Sequence, residues 1–132
     1  MFERYSLKAR RVVYWARFEV GQSPNTHIEP QHLLLGVLRE RPDLSPDESE
    51  IRREIESQIG HNPTLSRYGE VPLSDASKRV LKRAESEAQM RAHARIGTEH
   101  ILFAILQEDS PASRILLAHG ISLPAPTEDR AD

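Results

Sequence analysis

IGTEHILFAIL, residues 96–106, repeats the pattern of IEPQHLLLGVL, residues 28–38, at an offset of 68 positions. The same offset aligns the preceding segments without a gap, so that residues 6–40 meet residues 74–108 with ten identities. Because the apolar positions also keep the same phase, the match indicates an internal duplication. The identical pairs are Ser6/Ser74, Arg11/Arg79, Val12/Val80, Ala16/Ala84, Glu19/Glu87, Ile28/Ile96, His32/His100, Leu34/Leu102, Leu38/Leu106 and Glu40/Glu108.

Each copy is predicted to form a helix, a loop and a second helix. Ser6 and Ser74 are expected to be the N-caps of the first helices. Pro30 is expected at the first position of one second helix, and Thr98 as the cap of the other. The second helices are apolar on nearly every side, which predicts that they are buried at the centre of the fold. The first helices carry apolar stripes at helical spacing, namely Ala9, Val12, Val13, Ala16 and Val20, and Val80, Leu81, Ala84 and Ala88.

Beyond these helix pairs the two copies diverge. In copy one a proline-broken segment, 41–46, leads into a helix that ends at Gly60, with a narrow stripe of Ile51, Ile55 and Ile59. In copy two Ser110 begins a short helix that Gly120 stops. The sequence therefore predicts one all-α domain over residues 1–132, a duplicated helical repeat whose two bundles are related by a pseudo-twofold axis. Its predicted parts are repeat one at about 2–60, a linker at 61–72, repeat two at about 73–123 and a disordered tail at 124–132.

Composition excludes several classes of function. The chain has 132 residues and no cysteine, and its 18 Lys and Arg nearly balance its 20 Asp and Glu. A disulfide framework, a thiolate metal site and a cysteine nucleophile are therefore excluded, and the charge gives no overall attraction to nucleic acid or anionic membranes. The longest apolar run, residues 33–38, is too short to cross a bilayer, and no signal-peptide segment follows the N-terminus. A cytoplasmic location is expected.

The residues IGTEHIL at 96–102 and their diverged partner IEPQHLLLG at 28–36 resemble the signature of the Clp amino-terminal domain, which heads the ClpA and ClpC type of AAA+ unfoldases. Segments 2–16 and 71–84 are similar to the starts of that family's two repeats, so the resemblance covers roughly residues 2–123. Copy one is expected to lack the family's third helix, and copy two its last one. Because no G-x-x-x-x-G-K-[ST] phosphate loop is present, we expect a stand-alone Clp amino-terminal-like domain without an ATPase module.

The resemblance also implies a candidate ligand site. In the ClpC branch, the glutamate of the T-E-H motif takes part in binding phosphoarginine, and Glu99 matches that glutamate in copy two. The equivalent residue in copy one, Gln31, has no charge. Thr98 lies at a helix start, where backbone amides bind phosphate oxygens. We expect copy two alone to retain such a site, and the alternative is that Glu99 only complements the helix dipole.

A second candidate site follows from helix geometry. At about 100° per residue, Tyr14 and Phe18 point away from the apolar stripe of the first helix, with Arg11 between them and Trp15 to one side. Exposed clusters of aromatic residues and arginine mark protein interfaces. Tyr14 and Phe18 are predicted to be exposed and to contact another chain; the alternative is burial within the fold, which we expect for Trp15. The equivalent residues of copy two are all polar: Arg79, Lys82, Arg83 and Ser86.

No group of residues has the pattern of an active site or a metal centre. His32 and His100 occupy equivalent positions and are predicted to be hydrogen-bonded near the helix starts rather than to bind metal. We expect a non-enzymatic protein-binding module without metal or cofactor, which binds unfolded or marked substrates, an adaptor or a Clp unfoldase in a bacterial cytoplasm. The alternatives are a homo-oligomerising repeat and a nucleic-acid-binding protein that uses a basic strip, Lys78, Arg79, Lys82, Arg83, Arg91 and Arg95.

Overall fold

The structure of the chain, a computed structural model, describes residues 2–62, 70–122 and 125–129. Across these residues the chain forms helices and no strand, so the predicted all-α class is confirmed. Most of the predicted linker, residues 63–69, lies outside the described residues, while segment 41–46 contains turns and no helix. The helices are α1 (Leu7–Gly21), α2 (Pro30–Glu40), α3 (Glu48–Ile59), α4 (Asp75–Met90), α5 (Thr98–Gln107) and α6 (Pro111–Ala118).

The helix starts follow the predicted capping chemistry with one exception. The Oγ of Ser6 accepts a hydrogen bond from the amide of Ala9 at 3.0 Å, and Ser74 caps α4 in the same way. Pro30 is the first residue of α2, as predicted. The prediction for α5 was wrong, because Gly97 is the N-cap and Thr98 is the first helical residue. The side chain of Thr98 is therefore available for contacts outside its own helix.

The core surrounds the two second helices, as their composition predicts. In α2, residues 32–38 are all buried, and α5 buries most of its length against α2, α4 and α6. The stripes of α1 and α4 are buried against them, and the narrow isoleucine stripe of α3 faces inward. Burial of these aliphatic side chains is the main source of folding free energy, at about 25 cal/mol per Å² of apolar surface.

Reciprocal backbone hydrogen bonds join the two repeats. The loop before each second helix pairs with the segment that leads into the other repeat's first helix, as two isolated parallel bridges, Tyr5–Ile96 and Ile28–Leu73. Adding 68 to the first residue of one bridge and subtracting 68 from the second gives the other bridge, as a pseudo-twofold axis requires. The bonds are Ser6 N–H to Ile96 O at 2.9 Å, Ile96 N–H to Arg4 O at 2.9 Å, Ser74 N–H to Ile28 O at 3.0 Å and Ile28 N–H to Pro72 O at 2.9 Å.

The acidic segment near the C-terminus differs from its sequence-based expectation. Residues 125–129 belong to the stretch for which disorder is predicted, yet Thr127, Glu128 and Asp129 are hydrogen-bonded to α5 and to the loop before it. Hydrogen bonds to carboxylates and the burial of Pro126 hold this otherwise largely exposed, polar segment, whose low hydropathy predicts disorder. Residues 124 and 130–132 lie outside the described residues.

Candidate functional site

The aromatic face of α1 consists of Tyr14, Trp15 and Phe18. Tyr14 is 59% exposed and Phe18 37% exposed, so both reach the surface as predicted, although Phe18 does so narrowly. Trp15 is half-buried between them. Its ring lies 5.1 Å from that of Tyr14 and 5.8 Å from that of Phe18, and both pairs are edge-to-face. The three rings therefore form one continuous patch.

Two residues at the end of α2 order this aromatic face. The guanidinium of Arg39 lies 4.4 Å from the ring centroid of Trp15 and 5.2 Å from that of Phe18, within cation–π range. The carboxylate of Glu40 accepts hydrogen bonds from Arg11 Nε at 2.9 Å and from Trp15 Nε1 at 3.3 Å. Because the side chains are fixed in the free chain, less conformational entropy is lost when a partner binds.

Glu19 connects the aromatic face to the interior. This buried residue has its Oε1 3.3 Å from Arg39 Nη2 and 3.6 Å from Arg52 Nη1. Its Oε2 is buried and has no hydrogen-bond partner among the described residues. A buried carboxylate needs compensating charge, and the two arginines supply it. Glu19 therefore positions Arg39 on the aromatic rings.

The equivalent surface of repeat two carries charges in place of rings. The Nε atoms of Arg79 and Arg83 each lie 4.0 Å from Oε1 of Glu108, and these residues line a groove of about 360 Å³ with Lys82. Glu108 is the counterpart of Glu40 at the offset of 68 residues. A glutamate at this position, which we call the acidic anchor, is thus present in both repeats. The aromatic side chains are what distinguish repeat one.

Thr98 and Glu99 lie side by side at the start of α5, and both are already engaged. Oε1 of Glu99 accepts hydrogen bonds from the amide and hydroxyl of Thr127 at 3.0 and 3.1 Å, and Oε2 lies 3.7 Å from Arg41 Nη1. The amide and hydroxyl of Thr98 donate to the carboxylate of Asp129 at 3.0 and 2.9 Å. The ion pair with Arg41 shows that Glu99 can face a guanidinium group.

Gln31 lies in a different groove. Together with Glu54, Gln58 and Arg114 it lines a depression of about 610 Å³ between α2, α3 and α6, and its described lining does not include Thr98 or Glu99. Gln31 is the repeat-one counterpart of Glu99, and this groove is its surrounding in repeat one. Equivalent positions in a duplicated domain are separated by its pseudo-twofold axis unless they lie close to that axis.

His32 and His100 have the hydrogen-bonded role that the sequence predicts. Nδ1 of His32 accepts from the amide of Glu29, and Nδ1 of His100 accepts from the amide of Gly97, both at 2.9 Å. The proton then belongs on Nε2, which faces Asn25 at 3.2 Å in repeat one and His93 at 2.8 Å in repeat two. Burial lowers the pKa of His32 to about 4, and it also lowers the pKa of His100. Both rings are neutral at neutral pH.

Two groups of carboxylates and histidine lie close enough to suggest a cation site, namely Glu19, Glu56 and His61, and Asp47, Glu50 and His119. In the first, the arginines beside Glu19 already neutralise its charge. In the second, His119 donates to Asp47 and Glu54 through its two ring nitrogens, and these bonds, that of Glu54 first, raise its pKa. The charges favour ion-pair networks over metal coordination at both places.

Sequence reasoning missed the residues that organise both sites. The identity of Glu40 and Glu108 is a signal that points to the acidic anchor of the aromatic face. Nothing in the sequence indicates that Arg39 lies on the rings or that Asp129 lies against α5. Both contacts join residues whose separation along the chain is bridged only by the tertiary fold.

Residues 4–119 match the family of Clp repeat (R) N-terminal domains. The chain belongs to this family. The predicted resemblance is confirmed, and it extends to curated relatives. The probable ATP-dependent Clp protease ATP-binding subunit of Chlamydia pneumoniae is 32% identical over 125 residues, which are 88% of this chain and 15% of that protein. The negative regulator of genetic competence ClpC/MecB of Bacillus subtilis is 30% identical over 132 residues, or 93% of this chain and 16% of that protein.

Solved structures of this family share the fold. The N-terminal domain of the chaperone ClpD from Arabidopsis thaliana has a TM-score of 0.73 at 24% identity, covering 92% of this Clp repeat chain and 88% of that one. The Hsp104 N-terminal domain from Candida albicans has a TM-score of 0.72 at 20% identity, with coverage of 91% and 84%. Within the described residues, every helix is too short or too polar to span a membrane.

Proposed function

We propose that this Clp repeat chain is a non-enzymatic module that binds proteins through the aromatic face of repeat one. The observation that carries the proposal is the exposed patch of Tyr14, Trp15 and Phe18, held in place by Arg39 and Glu40. Aromatic residues and arginine are the residue types that contribute most to protein interfaces. Membership of the Clp family supports a role beside an unfoldase, in recognition of substrates or of an adaptor.

The partner that best fits this face is an apolar segment of an unfolded protein. The rings of Tyr14 and Phe18 bury aliphatic and aromatic side chains without demanding hydrogen bonds. The exposure of Tyr14 and Phe18 leaves part of these two rings open to a ligand. An unfolded substrate exposes such segments, whereas a folded protein buries most of them.

Fluorescence anisotropy with a labelled, permanently unfolded protein tests this proposal. Replacing both exposed rings, Tyr14→Lys with Phe18→Lys, is expected to weaken binding about tenfold or more, because central aromatic residues carry most of the energy of an interface. The matched control is Met90→Lys with Leu117→Lys, which changes two other exposed apolar residues. Equal losses of binding in the two double variants would show that charge, and not the aromatic face, controls the interaction.

The same variants separate the alternative functions. If the aromatic face joins two copies of this chain, light scattering will give a dimer mass that falls to the monomer mass when Tyr14 and Phe18 are replaced. The nucleic-acid alternative has less support, because Arg79, Arg83 and Arg91 of the basic strip face carboxylates. Binding to nucleic acid would weaken steeply with added salt.

We also propose that Glu99 can receive a guanidinium-bearing ligand such as phosphoarginine in repeat two. Support comes from its ion pair with Arg41 and from the charge-assisted hydrogen bonds that a carboxylate makes with a guanidinium. Gln31 lacks that charge, and Pro30 removes a backbone donor beside it. Calorimetry with free phosphoarginine is expected to give one site or none. Glu99→Ala should abolish whatever binding exists, and Gln31→Glu should add a weaker second site. Two equal sites in the unmodified chain would contradict this assignment.

A bacterial cytoplasm remains our proposal for its location. The similar proteins come from bacteria and from plastids, including the chloroplastic ClpC of Pisum sativum, so the matches fit more than one compartment. The absence of cysteine from the sequence is compatible with a reducing compartment. Immunoblots of fractionated cells of the source organism test the location.

A further inference from the structure

The start of α5 and the loop before it direct several hydrogen-bond donors toward one carboxylate-rich segment. Asp129 accepts from the amide and hydroxyl of Thr98 and from the hydroxyl of Ser6, the last at 2.6 Å. Glu128 accepts from the amides of Ala94 and Arg95 at 2.9 and 3.3 Å. The donors come from both repeats, since Asp129 lies 31 residues beyond Thr98 and 123 residues beyond Ser6.

Gly97 supplies the space that this carboxylate occupies. A Cβ atom built on Gly97 would lie 2.6 Å from Cγ of Asp129 and 2.7 Å from its Oδ2. The backbone at Gly97 has a φ of −113°, which any residue can adopt, so the missing side chain is needed for space and not for conformation.

Repeat one lacks the same arrangement at the equivalent place. Glu29 stands where repeat two has Gly97, and Pro30 stands where it has Thr98. Glu29 brings a negative side chain in place of the gap, and Pro30 offers neither an amide proton nor a hydroxyl. The donors and the space therefore coincide at the start of α5.

We propose that the start of α5 is a binding site for a short acidic peptide segment, and that the chain's own Thr127–Asp129 fills it in cis. The donors fit the carboxylates of adjacent Glu and Asp residues, with a hydroxyl residue before them to contact Glu99. An acidic segment of a partner protein must displace Thr127–Asp129 to bind. Until then the same residues cover Thr98 and Glu99.

The test uses the full chain and a labelled peptide, acetyl-Pro-Thr-Glu-Asp-amide, which copies residues 126–129. Glu128→Lys with Asp129→Lys empties the site, since two ammonium groups cannot bind these donors. This variant is expected to bind the peptide about tenfold more tightly than the unmodified chain, whose tethered segment competes at a high effective concentration. Adding Gly97→Ala to it is expected to abolish that binding.

A charge-matched control is Glu50→Lys with Asp109→Lys, which makes the same change of net charge on two exposed residues outside the site. It is expected to bind the peptide as weakly as the unmodified chain. Equal affinity of the two double-lysine variants, or binding that survives Gly97→Ala, would overturn the proposal. So would the absence of peptide binding by the emptied chain.

This inference rests on the proposed role of the chain in protein recognition, but its test can fail separately. The acidic peptide reports only on α5, whereas the unfolded-protein assay reports on the aromatic face of α1. Failure of acidic-peptide binding, with the expected result for unfolded-protein binding, refutes the α5 site alone. The reverse result refutes the aromatic face as the contact surface.

Discussion

Repeat one and repeat two have the same arrangement of helices but different residue types on their surfaces. Equivalent backbone hydrogen bonds join them, and equivalent histidines contact the amides before α2 and α5. Repeat one presents aromatic rings on α1 and closes the start of α2 with Glu29 and Pro30. Repeat two presents arginines on α4 and leaves a donor-lined gap at the start of α5. Duplication thus preserves the helix plan and most of the interior, while the exposed residues diverge into the two surfaces for which we propose binding.

The interiors also differ at one position, which gives the largest expected effect. Gly36 of α2 packs against α1 so closely that an added Cβ would lie 2.3 Å from the carbonyl oxygen of Val12. Its counterpart in repeat two, Ala104, carries a methyl group and is fully buried. Close packing of α1 against α2 therefore requires glycine at position 36, whereas the helix pair of repeat two accommodates alanine at the equivalent position.

Gly36→Ala is expected to lower the free energy of unfolding by about 3 kcal/mol, because a backbone contact cannot move aside without separating α1 from α2. Urea denaturation measures the change. The control Ala104→Gly is expected to cost about 1 kcal/mol through lost helix propensity. Near-equal stability of Gly36→Ala and the unmodified chain would mean that the repeats tolerate the same packing.

The next largest effect on stability is expected from acidification, through the protonation of His32. Burial lowers its pKa to about 4 in the folded chain, while the unfolded chain keeps an ordinary value near 6.5. The unfolded state therefore binds more protons between these values, and stability that is complete above pH 6.5 is lost as the pH falls. By pH 5 this residue is expected to cost about 2 kcal/mol.

His32→Gln removes this titration while its amide oxygen still accepts the Glu29 amide, so the loss of stability between pH 7 and pH 5 should shrink. The comparison must be made between variants, because hydrogen bonds to Glu54 and Asp47 raise the pKa of His119. That contribution has the opposite sign: it is complete below pH 6.5 and is lost as the pH rises through the raised value. His100→Gln should change the slope less, since Asp129 and Glu128 partly offset the effect of burial and His93 on its pKa.

Glu19→Gln is expected to destabilise the chain by about 1.5 kcal/mol, since Arg39 and Arg52 lose their shared buried partner but keep some contact with water. Trp15 fluorescence should change as Arg39 leaves its ring. The control is Glu87→Gln at the equivalent position, where the partner Arg91 is the C-cap residue of the same helix and the pair is worth about 0.5 kcal/mol or less. Equal losses of unfolding free energy in the two variants would show that Glu19 contributes no more than its counterpart Glu87.

The smallest effect on stability is expected for Tyr14→Lys with Phe18→Lys, which gives α1 surface residues like those of α4. Exposed substitutions of this kind change the free energy of unfolding by about 0.5 kcal/mol or less. The variant should therefore lose its unfolded-protein ligand and keep its melting temperature. A large fall in melting temperature would identify the rings as part of the core.

The sequence predicts more of the fold than of the candidate sites. The offset of 68 residues, the capping serines and the buried stripes predict the helices and their central pair, and the structure confirms them. The exposure of Tyr14 follows from helical angle alone. Thr98 was assigned to the wrong position, although its counterpart at the offset of 68 residues, Pro30, is the first residue of α2 and so points to Thr98 as the first residue of α5.

The sequence by itself determined that this protein is a duplicated all-helical domain, because apolar periodicity, capping and identity at a fixed offset can be read without knowledge of the packing. The motif residues at 28–36 and 96–102 added its resemblance to the Clp amino-terminal domain. Only the tertiary structure decided that Arg39 lies on the aromatic rings, that Glu19 holds it there, and that Asp129 fills the gap at Gly97. These contacts join charged and polar groups from separate helices and segments. Hydrogen bonds and ion pairs require distances of about 3 to 4 Å, which no sequence pattern specifies until the helices are packed.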